Sequence, residues 1–276
     1  MKLIFYSGNL GNQIFQCAFK DYIEKKYPHE KVYYHKTKYC PPILVERCFD
    51  LSMPKHSFIL GIIASLFFYS NLLLLRLFHI KLPQKLICSS GEITEYSIFF
   101  SNYLQDKYFY ECKDSSWLKV KMPSVCTESY KSFEREIIES DSICVHVRRG
   151  DYVKPGSLYA DLCSSDYYEN AIRLAKEKCP SGRLFFFSDD LKYVKDRFKD
   201  EDAFFVNCNR GELSYLDMKL MSLAKINIMA NSTFSYWGAY MGHEKKIVIY
   251  PKKWFTELSG RVAPDIMLDR ENWIGL

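Results

Sequence analysis

From Ser142 to the carboxyl terminus, short apolar runs alternate with amphipathic stretches of about ten residues. The apolar runs, which predict strands, are SICVHV, RLFFFS, AFFV, INIMA and KIVIYP. The stretches between them, which predict helices, are SDYYENAIRLAKEK, LKYVKDRF, SYLDMKLMSLAK and FSYWGAYMG. Strands separated by helices of this length indicate a parallel sheet with crossover helices. The second half of the chain is therefore predicted to adopt an α/β fold.

The chain opens on a second strand–loop–helix pattern, KLIFYSGNLGNQIFQCAFKDYIEKKY. Its apolar residues recur at helical spacing after the Gly-containing turn, and Pro28 follows the predicted helix. This is a β-loop-α unit of the kind that nucleotide-handling α/β folds contain. We place the boundary between the two halves around residues 122–141, which gives domains 1–130 and 131–276. The sequence contains no internal repeat or low-complexity linker.

Residues 58–75, FILGIIASLFFYSNLLLL, carry no charge over eighteen positions. This length reaches the threshold of a membrane-spanning helix. Gly61, Ser65, Ser70 and Asn71 argue against spanning, and the basic stretch RLFHIKLPQK follows. We expect a buried or interfacial helical pair, and peripheral contact with a membrane surface through residues 58–80 is the alternative.

Composition excludes several classes of protein. The 276 residues are 48% hydrophobic and 26% charged, as in a globular protein with a substantial core. The net charge of +5 is scattered rather than massed, so a nucleic-acid partner is not expected. None of the ten cysteines forms a C-x-x-C pair or a zinc-like spacing with histidine. This usage favours a reduced, cytoplasmic compartment, with peripheral attachment to the inner membrane as a variant of that location.

Ligands of open α/β sheets bind beyond the carboxyl ends of the strands. The first polar loop at such an end is HVRRGDY. Arg148 and Arg149 stay charged at physiological pH and offer forked donors to phosphate oxygens. His146 could bond a base or an acceptor hydroxyl, and Asp151 could orient an arginine or accept a proton. A solvated loop with one Arg–Asp ion pair explains the adjacent arginines equally well.

Two further loops carry polar side chains at the same predicted edge. Asp189 and Asp190, after RLFFFS, could bind a base edge or a ribose hydroxyl, or could cap the next helix. In MANSTFSYWGAYMG, the hydroxyl groups and backbone N–H groups at the helix start could bind an anion or could serve as caps. The hydroxyl groups belong to Ser232, Thr233 and Ser235, and Phe234 lies between them in the sequence.

Two motifs match nucleotide-binding or metal-binding signatures only in part. SGNLGNQ lacks the Lys-Ser/Thr of a Walker A loop and the third glycine of G-x-G-x-x-G, which disfavours a kinase or a dehydrogenase. DED at residues 200–202 matches the D-x-D of metal-dependent sugar-nucleotide enzymes. It lies in a charged turn before a strand, at the wrong end for a ligand, and is expected to be solvated surface. No metal site is predicted.

Taken together, the chain resembles the inverting α-1,2-fucosyltransferases of glycosyltransferase family 11. The elements that carry the resemblance occur in the family's order and are GNLGNQIFQ, NYLQDKYF, HVRRGDY, FFFSDD, DMKLMSLAKINIMANSTFSYWGAYM and VIYPKKWF. One departure is Asn9, where the family usually has a second glycine.

The resemblance implies a GT-B-like fold of two Rossmann-like halves, an N-terminal half on the acceptor side and a C-terminal half that binds GDP-fucose. It implies inverting transfer of L-fucose to the 2-hydroxyl of a terminal galactose in an oligosaccharide or surface glycan, without a metal or another cofactor. Arg148 would clamp the diphosphate with Arg149 beside it, and His146 and Asp189 or Asp190 would face the guanosine. Ser232, Thr233, Phe234 and Ser235 would line the phosphates, and Asn12 and Gln13 would close the cleft from the acceptor side.

Single displacement requires stabilisation of the leaving GDP and removal of a proton from the acceptor hydroxyl. Asp151 is the nominal base, because it is the one carboxylate within the arginine motif, and an orienting role for it is equally open. The alternatives for the whole chain are a glycosyltransferase that uses another GDP-sugar, or a nucleotide-binding or membrane-associated module without catalysis.

Overall fold

The computed structural model describes the chain from Met1 to Leu276 except for residues 38–39, 79–86, 89–92, 94, 102, 112, 114, 200, 243–244, 262 and 268–269. The chain divides into two compact units, Met1–Cys112 and Lys113–Leu276. Tyr240 Oη donates to the Lys113 carbonyl (2.8 Å) and Tyr215 Oη to the Lys121 carbonyl (2.7 Å). These bonds attach the connecting segment to the second unit. The boundary between the two units therefore lies earlier in the chain than residues 122–141, the range that the sequence pattern predicted.

The first unit holds a five-stranded parallel sheet in the order β3-β2-β1-β5-β4. Its strands are β1 (Lys2–Tyr6), β2 (Val32–Lys36), β3 (Lys55–His56), β4 (Ile87–Cys88) and β5 (Phe99–Phe100), and its helices are α1 (Leu10–Lys26), α2 (Val45–Cys48) and α3 (Phe58–Phe78). The central strand β1 is buried along its whole length, as expected for a strand covered on both faces.

The apolar segment that begins at residue 58 forms one continuous helix, α3, so the predicted helical pair is wrong. A helix without proline tolerates serine, asparagine and a single glycine when its other residues favour helix and one face packs. Gly61 and Ala64 lie on the packed side, and a Cβ at Gly61 would overlap the imidazole of His35. Among the described residues, we find no helix with the length and apolarity to cross a membrane.

The second unit holds a six-stranded parallel sheet in the order β11-β10-β9-β6-β7-β8. The strands are β6 (Ser142–Val147), β7 (Arg183–Ser188), β8 (Ala203–Phe205), β9 (Ile226–Ile228), β10 (Ile247–Tyr250) and β11 (Trp273–Gly275). The helices are α4 (Glu128–Glu139), α5 (Tyr167–Lys178), α6 (Leu191–Arg197), α7 (Leu216–Leu223) and α8 (Thr233–Tyr240). The predicted alternation and the α/β class with parallel sheets are confirmed.

Strand β6 lies at the centre of this sheet and is buried at all six positions. Its side chains alternate between faces, so Ile143, Val145 and Val147 join the core that α5 covers, while Cys144 and His146 point to the opposite face. The register pairs Val147 with Ser188 of β7. The loops that follow β6 and β7 therefore start side by side at the carboxyl edge, and the loop after the adjacent strand β9 joins them.

Candidate functional site

Arg148, the first residue after β6, lies between two carboxylates. Its Nη2 is 2.7 Å from Asp151 Oδ1 and its Nη1 is 2.9 Å from Asp189 Oδ2. Burial lowers the pKa of this guanidinium, but the charges of Asp189 and Asp151 outweigh burial and leave the pKa raised. The side chain is still 30% exposed. Arg148 is therefore a fixed cation, open to solvent at the carboxyl edge of the sheet.

Asp189 connects the loop after β7 to the loop after β6. Besides its contact with Arg148, its Oδ1 accepts the backbone N–H of Arg149 at 2.9 Å. A Cβ at Gly150 would lie 2.6 Å from Asp189 Oδ2, so glycine is required there for the close approach of the carboxylate. Asp189 thus holds both the arginine side chain and the backbone beside it, whereas the family resemblance implies that either Asp189 or Asp190 faces the guanosine.

Arg149 is fixed at the start of α6. Its Nε donates to Asp190 Oδ2 at 3.0 Å, and its guanidinium carbon lies 3.8 Å from the ring centroid of Tyr193. Asp190 also caps α6, because its Oδ1 accepts the backbone N–H of Tyr193 at 3.1 Å. Of the two aspartates considered as caps, Asp190 is the one that caps the helix. The two adjacent arginines are each paired with a different aspartate of the neighbouring loop.

His146 is the last-but-one residue of β6 and is only 7% exposed. Burial, and next the charge of Arg148, lower the pKa of its imidazole to about 4, so the ring is neutral at physiological pH. The ring lies 5.5 Å from that of Phe234, between centroids. Its Nδ1 is buried without a hydrogen-bond partner among the described residues. This nitrogen is a buried polar atom beneath the arginine loop whose hydrogen-bonding capacity the described residues leave unused.

The loop between β9 and α8 is bonded to the loop after β6. Tyr152 Oη donates to the Asn231 carbonyl at 3.0 Å, and Asn231 Nδ2 donates to the carbonyls of Ala160 (3.0 Å) and Trp254 (2.9 Å). These bonds place Ser232, the N-cap residue of α8, near the arginine loop.

The hydroxyl groups of this loop differ in their roles. Ser232 is buried and makes no side-chain cap of α8. Thr233 and Phe234 are partly exposed, so these two lie where a ligand could contact the start of the helix. Ser235 is only 1% exposed, and its Oγ accepts the backbone N–H of Ala230 at 3.1 Å. Ser235 therefore stabilises the loop, which corrects its assignment to the phosphate lining.

Sequence reasoning missed a polar pair behind the loop that follows β8. Asn209 Nδ2 donates to Asp217 Oδ1 at 2.8 Å, and Asp217 lies in the first turn of α7. Burial raises the pKa of Asp217 to about 7, although the bond from Asn209 lowers it. Strand β8 neighbours β7, so this loop leaves the same edge of the sheet. The available signal was the polar run NCNR directly after the strand AFFV.

Asn12 and Gln13 lie in the first turn of α1, in the first unit. Gln13 is fully buried: its Oε1 accepts the backbone N–H groups of Leu44 (2.9 Å) and Val45 (3.3 Å), and its Nε2 lies within hydrogen-bonding distance of the Gly8 and Pro42 carbonyls. A side chain bonded in this way positions the backbone and cannot contact an acceptor sugar. This corrects the assignment of Gln13 to the surface of a cleft. Asn12 Oδ1 accepts from Gln105 Nε2 at 2.7 Å and is partly exposed.

The DED motif lies at the amino end of β8, and its residues Glu201 and Asp202 are exposed, while residue 200 is outside the described residues. Within the described part of the chain, no three His, Cys, Asp or Glu side chains are grouped so that they could hold a metal ion.

Comparison with known proteins gives related glycosyltransferases. A 149-residue stretch is 37% identical to the O-antigen biosynthesis glycosyltransferase WbnK of Escherichia coli, covering 52% of this chain and 48% of that protein. A 166-residue stretch is 35% identical to an alpha-1,2-colitosyltransferase of Escherichia coli, covering 57% of this chain and 56% of that protein. The matched stretches thus span about half the length of these relatives.

Among solved structures, the crystal structure of POFUT1 in complex with GDP aligns with a TM-score of 0.50 at 13% identity, covering 90% of this chain and 97% of that one. At this identity the likeness concerns the fold, which is of the GT-B type, as the sequence predicted. The profile of glycosyl transferase family 11 matches residues 126–276, more than half of the chain and nearly all of the second unit. The paired arginines, the aspartates that hold them and the loop after β9 all lie within that match, and the chain belongs to glycosyl transferase family 11.

Proposed function

We propose that the protein is a glycosyltransferase that moves L-fucose from GDP-fucose to the 2-hydroxyl of a terminal galactose, with inversion at the anomeric carbon. The observation that carries this proposal is Arg148, held between Asp151 and Asp189 at the carboxyl edge of the second unit's sheet. Family membership and the two named relatives support sugar transfer as the reaction class. A relative of the fold that binds GDP supports a guanine nucleotide as the donor's carrier.

The proposed reaction needs a partner for the negative charge that grows on the diphosphate as the glycosidic bond breaks. A guanidinium has five N–H groups, and the two ion pairs of Arg148 occupy one on each terminal nitrogen. The remaining groups can donate to phosphate oxygens. Because Asp151 and Asp189 already fix the guanidinium, little reorganisation is needed as the charge develops.

Asp151 has two possible roles in this mechanism. Its carboxylate is about half exposed, as a base that meets an acceptor hydroxyl must be, and it also pairs with Arg148 at 2.7 Å. The ion pair supports the orienting role. Neutral His146 would contribute a hydrogen bond to the donor through its free Nδ1, and Thr233 and Phe234 would contact the donor from the start of α8.

Donor and linkage are tested with a panel of GDP-sugars and acceptors that end in β-galactose. The panel contains GDP-fucose, GDP-mannose and a GDP-activated colitose, because one relative is a colitosyltransferase. We expect transfer of fucose, and product NMR should show an α-linkage to the galactose 2-hydroxyl. Turnover with another GDP-sugar and none with GDP-fucose would favour the second candidate, a family member with a different donor. No transfer from any GDP-sugar to any galactoside would refute the proposal.

We also propose that the reaction requires no metal ion, since Arg148 supplies the cation that a metal would otherwise place on the diphosphate. Incubation with excess EDTA is expected to leave the initial rate unchanged within about twofold. The measurement is the rate of GDP release before and after chelation, with a known metal-dependent transferase treated in parallel. Loss of activity in EDTA that manganese restores would contradict this prediction.

The proposed place of action is the cytoplasm. The described cysteines are free thiols: Cys17, Cys40, Cys48, Cys126, Cys144, Cys163, Cys179 and Cys208. Several are buried, where a reduced thiol packs as a small apolar group. Free thiols in this number support a reducing compartment.

A further inference from the structure

Helix α3 exposes a continuous apolar face. Its outward side chains, each between 44% and 71% exposed, are Phe58, Ile59, Ile62, Ile63, Leu66, Tyr69, Leu73 and Leu77. Soluble proteins expose single apolar residues widely but rarely expose a long contiguous patch, and such patches mark interaction surfaces. The face runs over about 29 Å, because α3 rises 1.5 Å per residue. A surface of this length and composition calls for a partner.

The opposite side of α3 is already committed to the first unit. Ala64 is fully buried and packs with Leu3, Phe5 and Phe99 of the sheet, while Leu60, Phe67 and Phe68 pack partly against the same cluster. The helix is thus apolar on both sides, with one side held by its own sheet. A helix fixed in this way can lie on a surface but cannot turn its packed side outward.

The charged residues in the sequence around the apolar helix are all basic. Between Asp50 and Glu92 the sequence contains no acidic residue, but it contains Lys55, Arg76, Lys81 and Lys85. Lys55 precedes the helix and Arg76 lies in its last turn, and both are exposed. A face without carboxylates, bordered by cations at both ends, complements a surface that is apolar inside and negative at its boundary.

We propose that this face, the outward side of α3 with Lys55 and Arg76, docks the protein on an anionic lipid bilayer, with the helix lying in the plane of the membrane interface. The apolar side chains enter the boundary between headgroups and acyl chains, and the cations contact lipid phosphates. A second copy of the chain fits the face less well. A two-fold interface places the same patch against itself, and this segment has no carboxylate to neutralise the cations that would meet there.

The test is co-sedimentation of the full chain with lipid vesicles. It measures binding rather than turnover, so its result does not depend on the identity of the sugar donor or the acceptor. We expect partition onto vesicles of 30% phosphatidylglycerol in phosphatidylcholine, weak partition onto pure phosphatidylcholine, and loss of the difference in high salt. The triple variant Ile62→Ser/Leu66→Ser/Leu73→Ser is expected to bind at least about tenfold more weakly, since three inserted side chains are removed. Its folding is checked by thermal melting, because all three positions are exposed.

Two matched variants complete the design. Val125→Ser/Leu258→Ser removes exposed apolar side chains from the second unit and is expected to leave partition unchanged. Lys55→Glu/Arg76→Glu keeps the apolar face and reverses its bordering charges, and is expected to abolish the preference for anionic lipid. Equal binding to neutral and anionic vesicles, or undiminished binding of the folded triple variant, would overturn the proposal. Concentration-dependent dimers that the triple variant dissolves, without vesicle binding, would assign the face to a second copy instead.

Discussion

Arg148→Ala is expected to lower kcat for fucosyl transfer by about 10²–10³-fold, the loss typical when a donor to a developing negative charge is removed. The adjacent cation, Arg149, is bonded to Asp190 and lies over the ring of Tyr193, so it is not placed to replace the guanidinium that Asp151 and Asp189 hold. The KM for GDP-fucose should change less than kcat, since the interaction strengthens as the diphosphate leaves. Steady-state kinetics and GDP-binding calorimetry on the same preparation separate the two effects.

The neighbouring residues provide the controls. Arg148→Lys keeps the charge but loses the fork that engages both carboxylates, and is expected to recover only part of kcat. Arg149→Ala removes the adjacent cation, which is stacked on Tyr193, and is expected to cost less. Asp151→Asn distinguishes the roles of that carboxylate: loss of a base would lower activity on the scale of Arg148→Ala, whereas loss of an orienting partner would cost less. Full turnover in Arg148→Ala would refute the role assigned to this guanidinium.

Asp217→Asn is expected to stabilise the protein at neutral and alkaline pH. The pKa of Asp217 is raised from 3.8 to about 7 in the folded state, chiefly by burial. The folded state therefore binds more protons than the unfolded chain between about pH 4 and pH 7, and its stability falls as the pH rises through this window. Above pH 7 the buried carboxylate costs on the order of 4 kcal/mol, since each pKa unit corresponds to about 1.4 kcal/mol. Asparagine occupies the same volume, carries no charge and can still accept from Asn209.

Urea unfolding of wild type and variant at pH 5 and pH 8 measures this effect. The stabilisation should be several-fold larger at pH 8 than at pH 5, because the wild-type carboxyl group is largely protonated at the lower pH. Asp196→Asn, at an exposed position of α6, serves as the matched control and should give a small difference that does not grow with pH. A variant less stable than wild type at pH 8 would contradict a predominantly desolvated carboxyl group at Asp217.

The second unit was readable from sequence because its central strands β6, β7 and β9 are largely buried, which makes each an apolar run between amphipathic helices. The pairing of charges in its site was not readable. Which aspartate meets which arginine depends on the alignment of Val147 with Ser188, a property of the sheet rather than of either loop. Asp217 was missed for a related reason: a carboxyl residue in the first turn of a predicted helix is usually a solvated contact with the helix dipole, and here tertiary packing buries it.

The first unit was harder to predict for physical reasons. Its strands β3, β4 and β5 have two residues each, too few for a period to be recognised. Gln13 was placed at the cleft by the family resemblance alone, whereas its amide here holds the backbone at Leu44 and Val45. The segment of helix α3 was expected to form a helical pair, although a packed face is sufficient to keep such a helix continuous.

Asn231 has a consequence for how this protein can be changed. Its backbone carbonyl accepts a hydrogen bond from the Tyr152 hydroxyl, and its side-chain amide donates one to the Ala160 carbonyl. One residue therefore joins both ends of the turn between Tyr152 and Ala160. Residues 153–156 within that turn are exposed. Because the closure of a loop depends only weakly on its length, the turn can be lengthened, labelled or replaced while its ends stay in place. Arg148 lies outside the closed loop, and this turn is therefore a site where new recognition elements can be grafted beside the arginine without altering the arginine's own support.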